Sequence, residues 1–248
     1  MRYAGIDIGS RTIELVVVNE AGEMLCTLQA DTGFDPMMSA KKLIDEVSYD
    51  HIMATGYGRN LFEISFDAQT VTEIKAHATG ARALFPGTQT VLDIGGQDSK
   101  AIALFDNGKV KKFEMNDRCA AGTGKFLEIM ARTLGFEIED FGREALMAEK
   151  DLNISSMCTV FAESEVTSLI ARGENRQEIA RGLHASVIRR AVGMINRVTS
   201  KGEIVFTGGV AKNPCMSALL EKKLARRILI PDDPQLVGAL GAALIAKE

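Results

Sequence analysis

Two segments of the 248-residue chain repeat one pattern: an apolar strand that ends in Asp-Ile-Gly, a short polar turn, and a second strand. Asp7 and Gly9 end the strand of the first segment, and Asp93 and Gly95 stand at the matching positions of the second. Glycine lets the backbone turn tightly, so that successive N–H groups can point at an anion. An Asp at the strand end can hold the water shell of Mg²⁺. The repeat therefore predicts two related halves that each open with a β-hairpin and together grip the phosphates of a nucleotide.

A third glycine motif, Thr207-Gly208-Gly209, follows a predicted strand near the end of the chain. Two glycines after a strand let the backbone come close to a flat base or a sugar. A single Asp-Gly turn is more often a structural hairpin than a phosphate loop, but two such hairpins and this motif together favour a nucleotide site. Arg11 and Lys100 either contact phosphates or merely flank strands. The candidate nucleotide-binding residues of the three motifs are Asp7, Gly9, Ser10, Arg11, Thr12, Asp93, Gly95, Gly96, Gln97, Lys100, Thr207, Gly208 and Gly209.

Composition narrows the class of protein. The 29 Lys and Arg residues against 33 Asp and Glu residues give a net charge of −4, which provides no electrostatic footprint for nucleic acid. No apolar run approaches the roughly 18 to 20 residues needed to span a bilayer. The N-terminus lacks the pattern of a signal peptide. The sequence is thus typical of a cytoplasmic globular protein that binds neither nucleic acid nor membrane.

Helical periodicity in the rest of the chain predicts an α/β fold with mixed sheets. Ser39 is the predicted N-cap of an early helix, and Thr123 and Gly135 are predicted to begin and end another. The other predicted helices are residues 70–84, residues 159–172, a long segment that opens at Asn175 and runs to Val198, a helix with Asn213 as N-cap and Pro214 at its first position, and residues 235–247.

The four cysteines, Cys26, Cys119, Cys158 and Cys215, are widely spread and form no C-x-x-C pair. A disulfide framework is not expected in a reducing compartment, and a metal site within one chain usually shows closely spaced ligands. Spacing alone therefore favours four small buried hydrophobic residues.

The three glycine motifs together resemble the two phosphate motifs and the adenosine motif of the superfamily that contains actin, sugar kinases and heat-shock-chaperone ATPases. The resemblance covers nearly the whole chain and implies two RNase H-like domains of actin-like ATPase architecture, with ATP or ADP and Mg²⁺ in the cleft between them. The first domain would comprise residues 1–85 plus 235–248, and the second would comprise residues 86–234. The helices over 70–84 and 235–247 then resemble the two crossing helices that act as the hinge.

Two further segments resemble one family within this superfamily. Residues 117–128, Asp-Arg-Cys-Ala-Ala-Gly-Thr-Gly-Lys-Phe-Leu-Glu, and residues 158–166, Cys-Thr-Val-Phe-Ala-Glu-Ser-Glu-Val, are similar to the signatures of the 2-hydroxyacyl-CoA dehydratase activators (component A). These are iron-sulfur ATPases. The resemblance implies a homodimer with one [4Fe-4S] cluster on its two-fold axis, held by Cys119 and Cys158 of both chains.

General chemistry agrees with this implied cluster. Two thiolates in one chain cannot complete a set of four Cys ligands, whereas a symmetric dimer doubles them. Cys119 lies just before Gly122-Thr123-Gly124 and a helix start, where backbone N–H groups and the helix dipole favour an anion. Gly122 and Gly124 are included among the candidate cofactor-binding residues, and a plain helix cap is the alternative for their loop. Cys26 and Cys215 are still interpreted as small buried hydrophobic residues with a structural role.

The activity implied by the resemblance couples ATP hydrolysis to transfer of one electron at very low potential. Ferredoxin or flavodoxin would reduce the cluster, ATP would change the angle between the subunits, and the electron would pass to an iron-sulfur 2-hydroxyacyl-CoA dehydratase. Benzoyl-CoA reductase or a double-cubane cluster protein is the alternative acceptor. A small-molecule kinase of the same superfamily is the competing class of enzyme, and a nucleotide-binding scaffold without activity is the third possibility.

Three residues are candidates for positioning the attacking water: Glu73, Gln97 and Asp98. Glu73 starts the first crossing helix, where the superfamily often has such a residue; the alternative is a solvated acid that interacts with the helix dipole. Gln97 and Asp98 follow the second pair of glycines, and Gln has this role elsewhere in phosphate hydrolysis. The three His residues show no metal-ligand spacing and are interpreted as structural.

Overall fold

The computed structural model describes residues 1–154, 158–198 and 202–248. The first of two mixed sheets consists of β1 (Arg2–Ile8), β2 (Thr12–Asn19), β3 (Met24–Asp31), β4 (His51–Thr55) and β5 (Gln69–Thr70). Their order in the sheet is β3-β2-β1-β4-β5. The helices of this part of the chain are α1 (Pro36–Asp45), α2 (Arg59–Phe66) and α3 (Glu73–Leu84).

The second sheet consists of β6 (Thr88–Ile94), β7 (Ser99–Leu104), β8 (Val110–Asn116) and β9 (Glu203–Thr207), in the order β8-β7-β6-β9. Its helices are α4 (Gly124–Leu134), α5 (Ile138–Leu146), α6 (Thr159–Ala171), α7 (Arg176–Val198) and α8 (Pro214–Leu224). A short 3₁₀ turn, Gly209–Lys212, follows β9, and the last helix is α9 (Val237–Ala246). The predicted α/β class with two mixed sheets is confirmed.

The sequence repeat is a structural repeat. Strand β1 pairs antiparallel with β2 and parallel with β4, and β6 pairs in the same two ways with β7 and β9. Asp7 and Asp93 occupy the same position in these two units. Asp7 lies opposite Glu14 of its hairpin and beside Thr55 of the parallel strand. Asp93 correspondingly lies opposite Lys100 and beside Thr207.

The long helix α7 has the apolar face that its periodicity predicts. Ile179, Leu183, Val187 and Ile195 are all buried within the large core beneath the second sheet. Residues spaced three and four apart share one face of a helix. Helix α7 packs against the strands of the second sheet, and α5 and α8 pack against it as well.

The helices α3 and α9 cross at very short range. A Cβ atom on Gly80 of α3 would overlap the carbonyl oxygen of Val237, and a Cβ atom on Gly241 of α9 would overlap the carbonyl oxygen of Ala76. The backbones touch because glycine removes the side chain at each contact. Close packing of the small residues in the last helix is therefore confirmed.

Three predicted helix starts are wrong. Helix α1 begins at Pro36, because Asp35 accepts hydrogen bonds from the N–H groups of Met37 and Met38, so Ser39 lies inside the helix. Helix α3 begins at Glu73 after its N-cap Thr72, since residue 70 belongs to β5. Helix α9 begins at Val237 rather than at residue 235.

Two helices have no counterpart among the predicted elements. Helix α2 has eight residues and no side-chain hydrogen bond at its N-cap, Gly58. Helix α5 likewise lacks a side-chain cap and buries Phe141 and Ala145. Short helices without a capping residue carry little local signal. In the described ranges, no helix is long and apolar enough to span a bilayer.

Candidate functional site

A cavity of about 990 Å³ opens between the two sheets, and both Asp-Ile-Gly turns line it. The turns have the same backbone hydrogen bond. The N–H of Gly9 donates to the carbonyl of Thr12 (3.1 Å), and the N–H of Gly95 donates to the carbonyl of Asp98 (3.0 Å). Of the predicted site residues, the cavity is lined by Asp7, Gly9, Ser10, Arg11, Thr12, Glu73, Asp93, Gly95, Gly96, Gln97, Asp98, Lys100, Gly124, Gly208 and Gly209.

Besides the predicted cluster ligands Cys119 and Cys158, two predicted residues do not line the cavity. Thr207 is buried behind Asp93, to which its hydroxyl donates a hydrogen bond of 3.1 Å. Gly122 adopts a positive φ of 115° in the loop before α4 and lies against Arg190 and Asn116. Gly122 therefore shapes the loop that contains Cys119, whereas Thr207 supports Asp93 from behind.

His77 of α3 lies between the two repeated aspartates. Its Nε2 atom is 3.7 Å from Oδ2 of Asp7, and its Nδ1 atom is 3.6 Å from Oδ1 of Asp93. Burial disfavours the charged imidazole, but Asp93 and Asp7 outweigh it and raise the pKa of His77 to about 9. His77 is thus a cation inside the cleft. Sequence spacing did not predict this position, because the contact joins residues of three separate elements.

Lys100 of β7 is almost completely buried and is surrounded by carboxylates. Its Nζ atom lies 2.6 Å from Glu73, 2.6 Å from Asp98 and 3.3 Å from Asp93. Burial disfavours the charged amine, but these carboxylates keep the pKa of Lys100 above its ordinary value. The flanking-residue alternative is wrong for Lys100, since its ammonium group reaches the centre of the site.

Glu73, at the start of α3, is held between two cations. Its Oε2 atom contacts Lys100, and its Oε1 atom lies 3.8 Å from Nη1 of Arg59 on α2. Burial raises the pKa of Glu73, and the charge of Lys100 opposes that rise. The side chain is 16% exposed, so the solvated-acid alternative is wrong.

Glu14 is a further buried acid that the motifs did not indicate. It lies on β2 opposite Asp7 and accepts hydrogen bonds from the side-chain amides of Gln29 (2.8 Å) and Gln235 (3.3 Å). Burial and the negative charge of Asp7 raise the pKa of Glu14 to about 8. A single acid inside the apolar run of β2 is the sequence signal that could have identified it.

Gly208 and Gly209 meet different constraints. Gly208 has φ +84° and ψ 169°, a conformation that only glycine adopts readily, and a Cβ atom there would lie 2.7 Å from a carboxylate oxygen of Asp93. At Gly209 a Cβ atom would find only ordinary contacts of 3.7 Å with Gln235. The protein itself therefore requires glycine at position 208, and position 209 borders open cleft.

Leu127 of α4, Ile138 and Gly142 of α5, and Asn213 and Pro214 at the start of α8 form an uncharged part of the cavity wall. Charged residues of the same segments, Glu128, Glu139 and Lys212, also line the cavity. The uncharged part of this wall suits a nucleobase.

Asn213 of this wall is fixed by a buried histidine. Its side-chain oxygen accepts from the N–H groups of Cys215 (3.0 Å) and Met216 (3.2 Å), and its amide nitrogen lies 2.9 Å from Nε2 of His184. Nδ1 of His184 is 2.7 Å from the carbonyl of Ala180, so Nδ1 carries the proton and Nε2 accepts from Asn213.

The four cysteines differ in exposure. Cys158 is exposed at the N-cap of α6, Cys119 and Cys26 are half-buried, and Cys215 is buried, where burial raises the pKa of its thiol to about 12. The prediction of four buried hydrophobic residues is therefore wrong for Cys158. Among the described residues, no three His, Cys, Asp or Glu side chains of this one chain are grouped to hold a metal ion.

Comparison with known proteins gives full-length matches. The sequence profile of the BadF/BadG/BcrA/BcrD ATPase family matches residues 4–246. The activator of lactoyl-CoA dehydratase from Anaerotignum propionicum is 41% identical over 256 residues, which cover 100% of this chain and 98% of that protein.

Solved structures agree with the sequence match. The crystal structure of (R)-2-hydroxyglutaryl-CoA dehydratase component A from Acidaminococcus fermentans is 38% identical, with a TM-score of 0.93 over 100% of this chain and 98% of that one. The activator of the 2-hydroxyisocaproyl-CoA dehydratase from Clostridium difficile, with bound ADPNP, is 34% identical, with a TM-score of 0.90 over 100% and 94% of the two chains. These matches confirm the actin-like ATPase architecture.

Proposed function

Because this chain belongs to the BadF/BadG/BcrA/BcrD ATPase family, we propose that it hydrolyses ATP to deliver one electron at low potential to an iron-sulfur 2-hydroxyacyl-CoA dehydratase. One observation carries the proposal. Both Asp-Ile-Gly turns line one cleft, in a chain that is similar over its full length to proteins named as dehydratase activators.

In this proposal the cleft binds ATP or ADP with its phosphates between the two turns. The N–H groups that follow Gly9 and Gly95 in the two turns would meet the phosphate oxygens, since those of Gly9 and Gly95 themselves donate within the turns. The base would lie against the uncharged wall of Leu127, Ile138 and Pro214. Support comes from the structural relative that contains ADPNP and from the two Asp-Ile-Gly turns that line the same cleft.

The acids of the cleft fit a hydrated Mg²⁺ ion. Nine Asp and Glu side chains line the cleft against five Lys and Arg side chains and His77, and a triphosphate would add further negative charge. Mg²⁺ is usually held by one or two carboxylates, waters and substrate phosphates rather than by a cage of protein groups. We assign this task to Asp7 and Asp93. The ion would neutralise charge that develops on the phosphates.

Glu73 is our first choice for orienting the attacking water, because it lines the cleft and burial raises its pKa. A buried carboxylate with a raised pKa accepts a proton more readily than an exposed one. Asp98, bound to Lys100, and the exposed Gln97 remain the rival candidates.

Cys119 and Cys158 fit an iron-sulfur cluster shared by two chains. Both thiols are free, with Cys158 exposed and Cys119 half-buried. Cys158 is the N-cap of α6, whose N-terminal N–H groups favour an anion. Cys215, with its raised pKa, is a poor thiolate donor. Two ligands per chain require a symmetric dimer to give four. When bound, the [4Fe-4S] cluster would accept and release one electron at a time.

The cleft and the cysteine loop are physically connected. The N–H groups of Gly124 and Lys125, at the start of α4, donate to the carbonyls of Gly95 (2.9 Å) and Gly96 (2.8 Å). A movement of the second phosphate turn would therefore move the helix that follows Cys119. We propose that residues 1–85 with 235–248 and residues 86–234 form the two domains, and that α3 and α9 are their hinge.

The partners follow from the same proposal: ferredoxin or flavodoxin as the electron donor and a dehydratase as the acceptor. A benzoyl-CoA reductase or a double-cubane cluster protein is the alternative acceptor. A small-molecule kinase would have no use for an accessible cysteine pair, so we rank that class below electron transfer.

The test is ATP-dependent activation of purified dehydratases for lactoyl-CoA, 2-hydroxyisocaproyl-CoA and 2-hydroxyglutaryl-CoA. The protein is purified without oxygen, reduced with ferredoxin or dithionite, and mixed with each dehydratase and ATP, ADPNP or no nucleotide. We expect dehydration of at least one substrate with ATP alone. Equal activation without nucleotide, or activation of none of the three while a sugar or acid is phosphorylated, would contradict the proposal.

A further inference from the structure

We propose that Arg59 and Lys100 are positioning residues for ATP hydrolysis, which clamp the two carboxylate oxygens of Glu73 from opposite sides of the cleft. This inference rests on the role of Glu73 in the proposed function. It goes further by assigning two residues to the alignment of that group and by linking the alignment to closure of the cleft.

The first half of the clamp belongs to the second sheet. Lys100 extends from β7, and its Nζ atom lies 2.6 Å from Oε2 of Glu73. The same ammonium group contacts Asp98 and Asp93, and its side chain is 2% exposed. Lys100 therefore has a fixed position, and one of its three donors is directed at Glu73.

The second half of the clamp belongs to the first sheet. Arg59 is the first residue of α2, and its Nη1 atom donates to the carbonyl of Gly56 (3.0 Å) and lies 3.8 Å from Oε1 of Glu73. The neighbouring Gly58 donates its N–H to the carbonyl of Ile8 (3.0 Å), inside the first Asp-Ile-Gly turn. Arg59 is thus fastened to the turn that carries Asp7.

Glu73 lies between these two attachments, at the N-terminus of α3. Its two carboxylate oxygens face a cation of α2, which packs on β4 and β5 of the first sheet, and a cation of β7 in the second sheet. Both ion pairs therefore exist together only when the two sheets are close. Opening the cleft by one or two ångströms lengthens at least one of them. A carboxylate with one remaining contact rotates about its side-chain bonds, and a misplacement of about 1 Å can reduce a reaction rate about 100-fold. The clamp makes hydrolysis depend on closure.

The competing explanation is that these cations only neutralise buried acids and stabilise the fold. The two explanations predict that a substitution changes different measured quantities. Loss of a fold-stabilising ion pair lowers the melting temperature and nucleotide affinity, whereas loss of alignment lowers kcat at constant KM for ATP. Arg59 is the better residue to change, because removal of the Lys100 charge leaves three buried carboxylates without their common partner.

The experiment is a double-mutant cycle of Arg59→Gln and Glu73→Gln, measured as steady-state ATPase activity of the cluster-containing full chain. Arg59→Lys tests rescue, and Arg143→Gln is the matched control, since Arg143 forms an exposed ion pair with Asp140. We expect Arg59→Gln to lower kcat about 10- to 100-fold with KM and melting temperature unchanged. Arg59→Lys should recover part of the loss, and Arg143→Gln should match the wild type.

In the Glu73→Gln background, the added Arg59→Gln change should lower kcat by less than about twofold, because residues that act through one group are not additive. A full additional loss in the double variant would overturn the clamp and leave the role of Glu73 intact. Unchanged kcat in Arg59→Gln, or a loss that appears only in KM and melting temperature, would overturn it as well. Wild-type kcat in Glu73→Gln would refute the assigned role of Glu73 and the clamp together.

Discussion

At the scale of single residues, Asp93 shows how a repeated motif becomes a site. Burial alone would raise the pKa of its carboxyl group, but His77, Lys100 and the Thr207 hydroxyl together hold it below its ordinary value. Asp93 therefore stays charged inside the protein. A buried carboxylate of this kind costs stability unless its partners are present, and its charge is the property that a hydrated Mg²⁺ ion requires.

We expect Asp7→Ala and Asp93→Ala each to abolish ATPase activity, because each removes a carboxylate from the phosphate end of the cleft. The measurement is phosphate release at saturating ATP, with circular dichroism as a check on folding. Asp45→Ala is the matched control, since Asp45 pairs with Lys41 on the surface. Wild-type hydrolysis in both Asp7→Ala and Asp93→Ala would identify the repeat as a pair of structural hairpins.

The two neighbouring glycines should respond differently to side chains. Gly208→Ala should lose about 1 to 3 kcal/mol of unfolding free energy, because its backbone conformation is accessible almost only to glycine. Gly209→Val should keep most of its stability and bind ADP more weakly, since its side chain would enter the open cleft. Urea unfolding and calorimetric titration with ADP separate the two effects. An unchanged ADP affinity in folded Gly209→Val would move the nucleotide away from this motif.

The sequence predicted 15 of the 34 residues that line the cleft, and these are mainly the Gly and Asp residues at strand ends, which can be recognised because they form tight turns. Glu14, Arg59 and His77 were not predicted as site residues. Each reaches the cleft from a different element, and its importance depends on which charges it meets there. Such contacts are set by tertiary packing, so a single sequence holds only weak signals for them.

At the scale of secondary structure elements, long periodic segments were predicted well and short ones were not. Helix α7 has 23 residues, and the periodic apolar residues along it were enough to predict where it lies in the sequence. Helix α2, with eight residues, has no comparable periodicity, and the start of α1 was misplaced because Ser39 resembled a cap while Asp35 is the cap. Competing capping residues a few positions apart are not distinguished by local chemistry alone.

The contact between α7 and α8 should make stability depend on pH. Burial lowers the pKa of His184 to about 4, below its ordinary value of 6.5. Between these values the unfolded chain binds a proton that the folded protein excludes, so stability falls as the pH decreases from about 6.5 towards 4. Wild type should lose about 2 kcal/mol between pH 7 and pH 5 through this group.

The test compares urea unfolding of the wild type, His184→Gln and His51→Gln at both pH values. His184→Gln should lack this part of the pH dependence, and His51→Gln should retain it, because His51 is exposed on β4. An identical pH dependence in wild type and His184→Gln would show that another group is responsible.

The crossing of α3 and α9 should be intolerant of even one methyl group. Gly241→Ala places a Cβ atom on the carbonyl of Ala76, and overpacking of this kind costs about 1 to 3 kcal/mol. Gly193→Ala in α7 is the matched control, because its Cβ atom would meet only the end of the Arg197 side chain at 3.6 Å. That change should stabilise the helix by up to about 1 kcal/mol. Equal melting temperatures for the two variants would refute the tight crossing.

At the scale of the whole molecule, the proposed hinge of α3 and α9 would allow the cleft to close on a nucleotide. The cleft opens between the sheets, and Gly124 and Lys125 bind α4 to the second phosphate turn. The Cys119 loop directly precedes that helix. In the proposed mechanism, closure of the cleft would move the cysteine loop through these two hydrogen bonds, so that phosphate binding would act on a distant surface.

The cluster proposal makes a prediction about assembly. If Cys119 and Cys158 of two chains hold one cluster, replacement of either by Ser removes two of the four thiolates at once, because the two-fold axis repeats every change. Wild type should contain about two iron atoms per chain. Cys119→Ser and Cys158→Ser should each lose nearly all iron and visible absorbance, and their dimers should weaken.

Cys26→Ser and Cys215→Ser are the matched controls and should keep iron and colour. Cys215→Ser should lose some stability because it buries a hydroxyl group where the thiol is buried now. ADP binding should survive in the Cys119 and Cys158 variants, since neither cysteine lines the nucleotide cavity. The iron content, the visible absorbance and the size-exclusion mass of the four variants test whether Cys119 and Cys158 hold the cluster and join the two chains. A full cluster in Cys119→Ser or Cys158→Ser would show that the subunits are not bridged in this way, because a cluster with half of its ligands replaced could not keep its iron content.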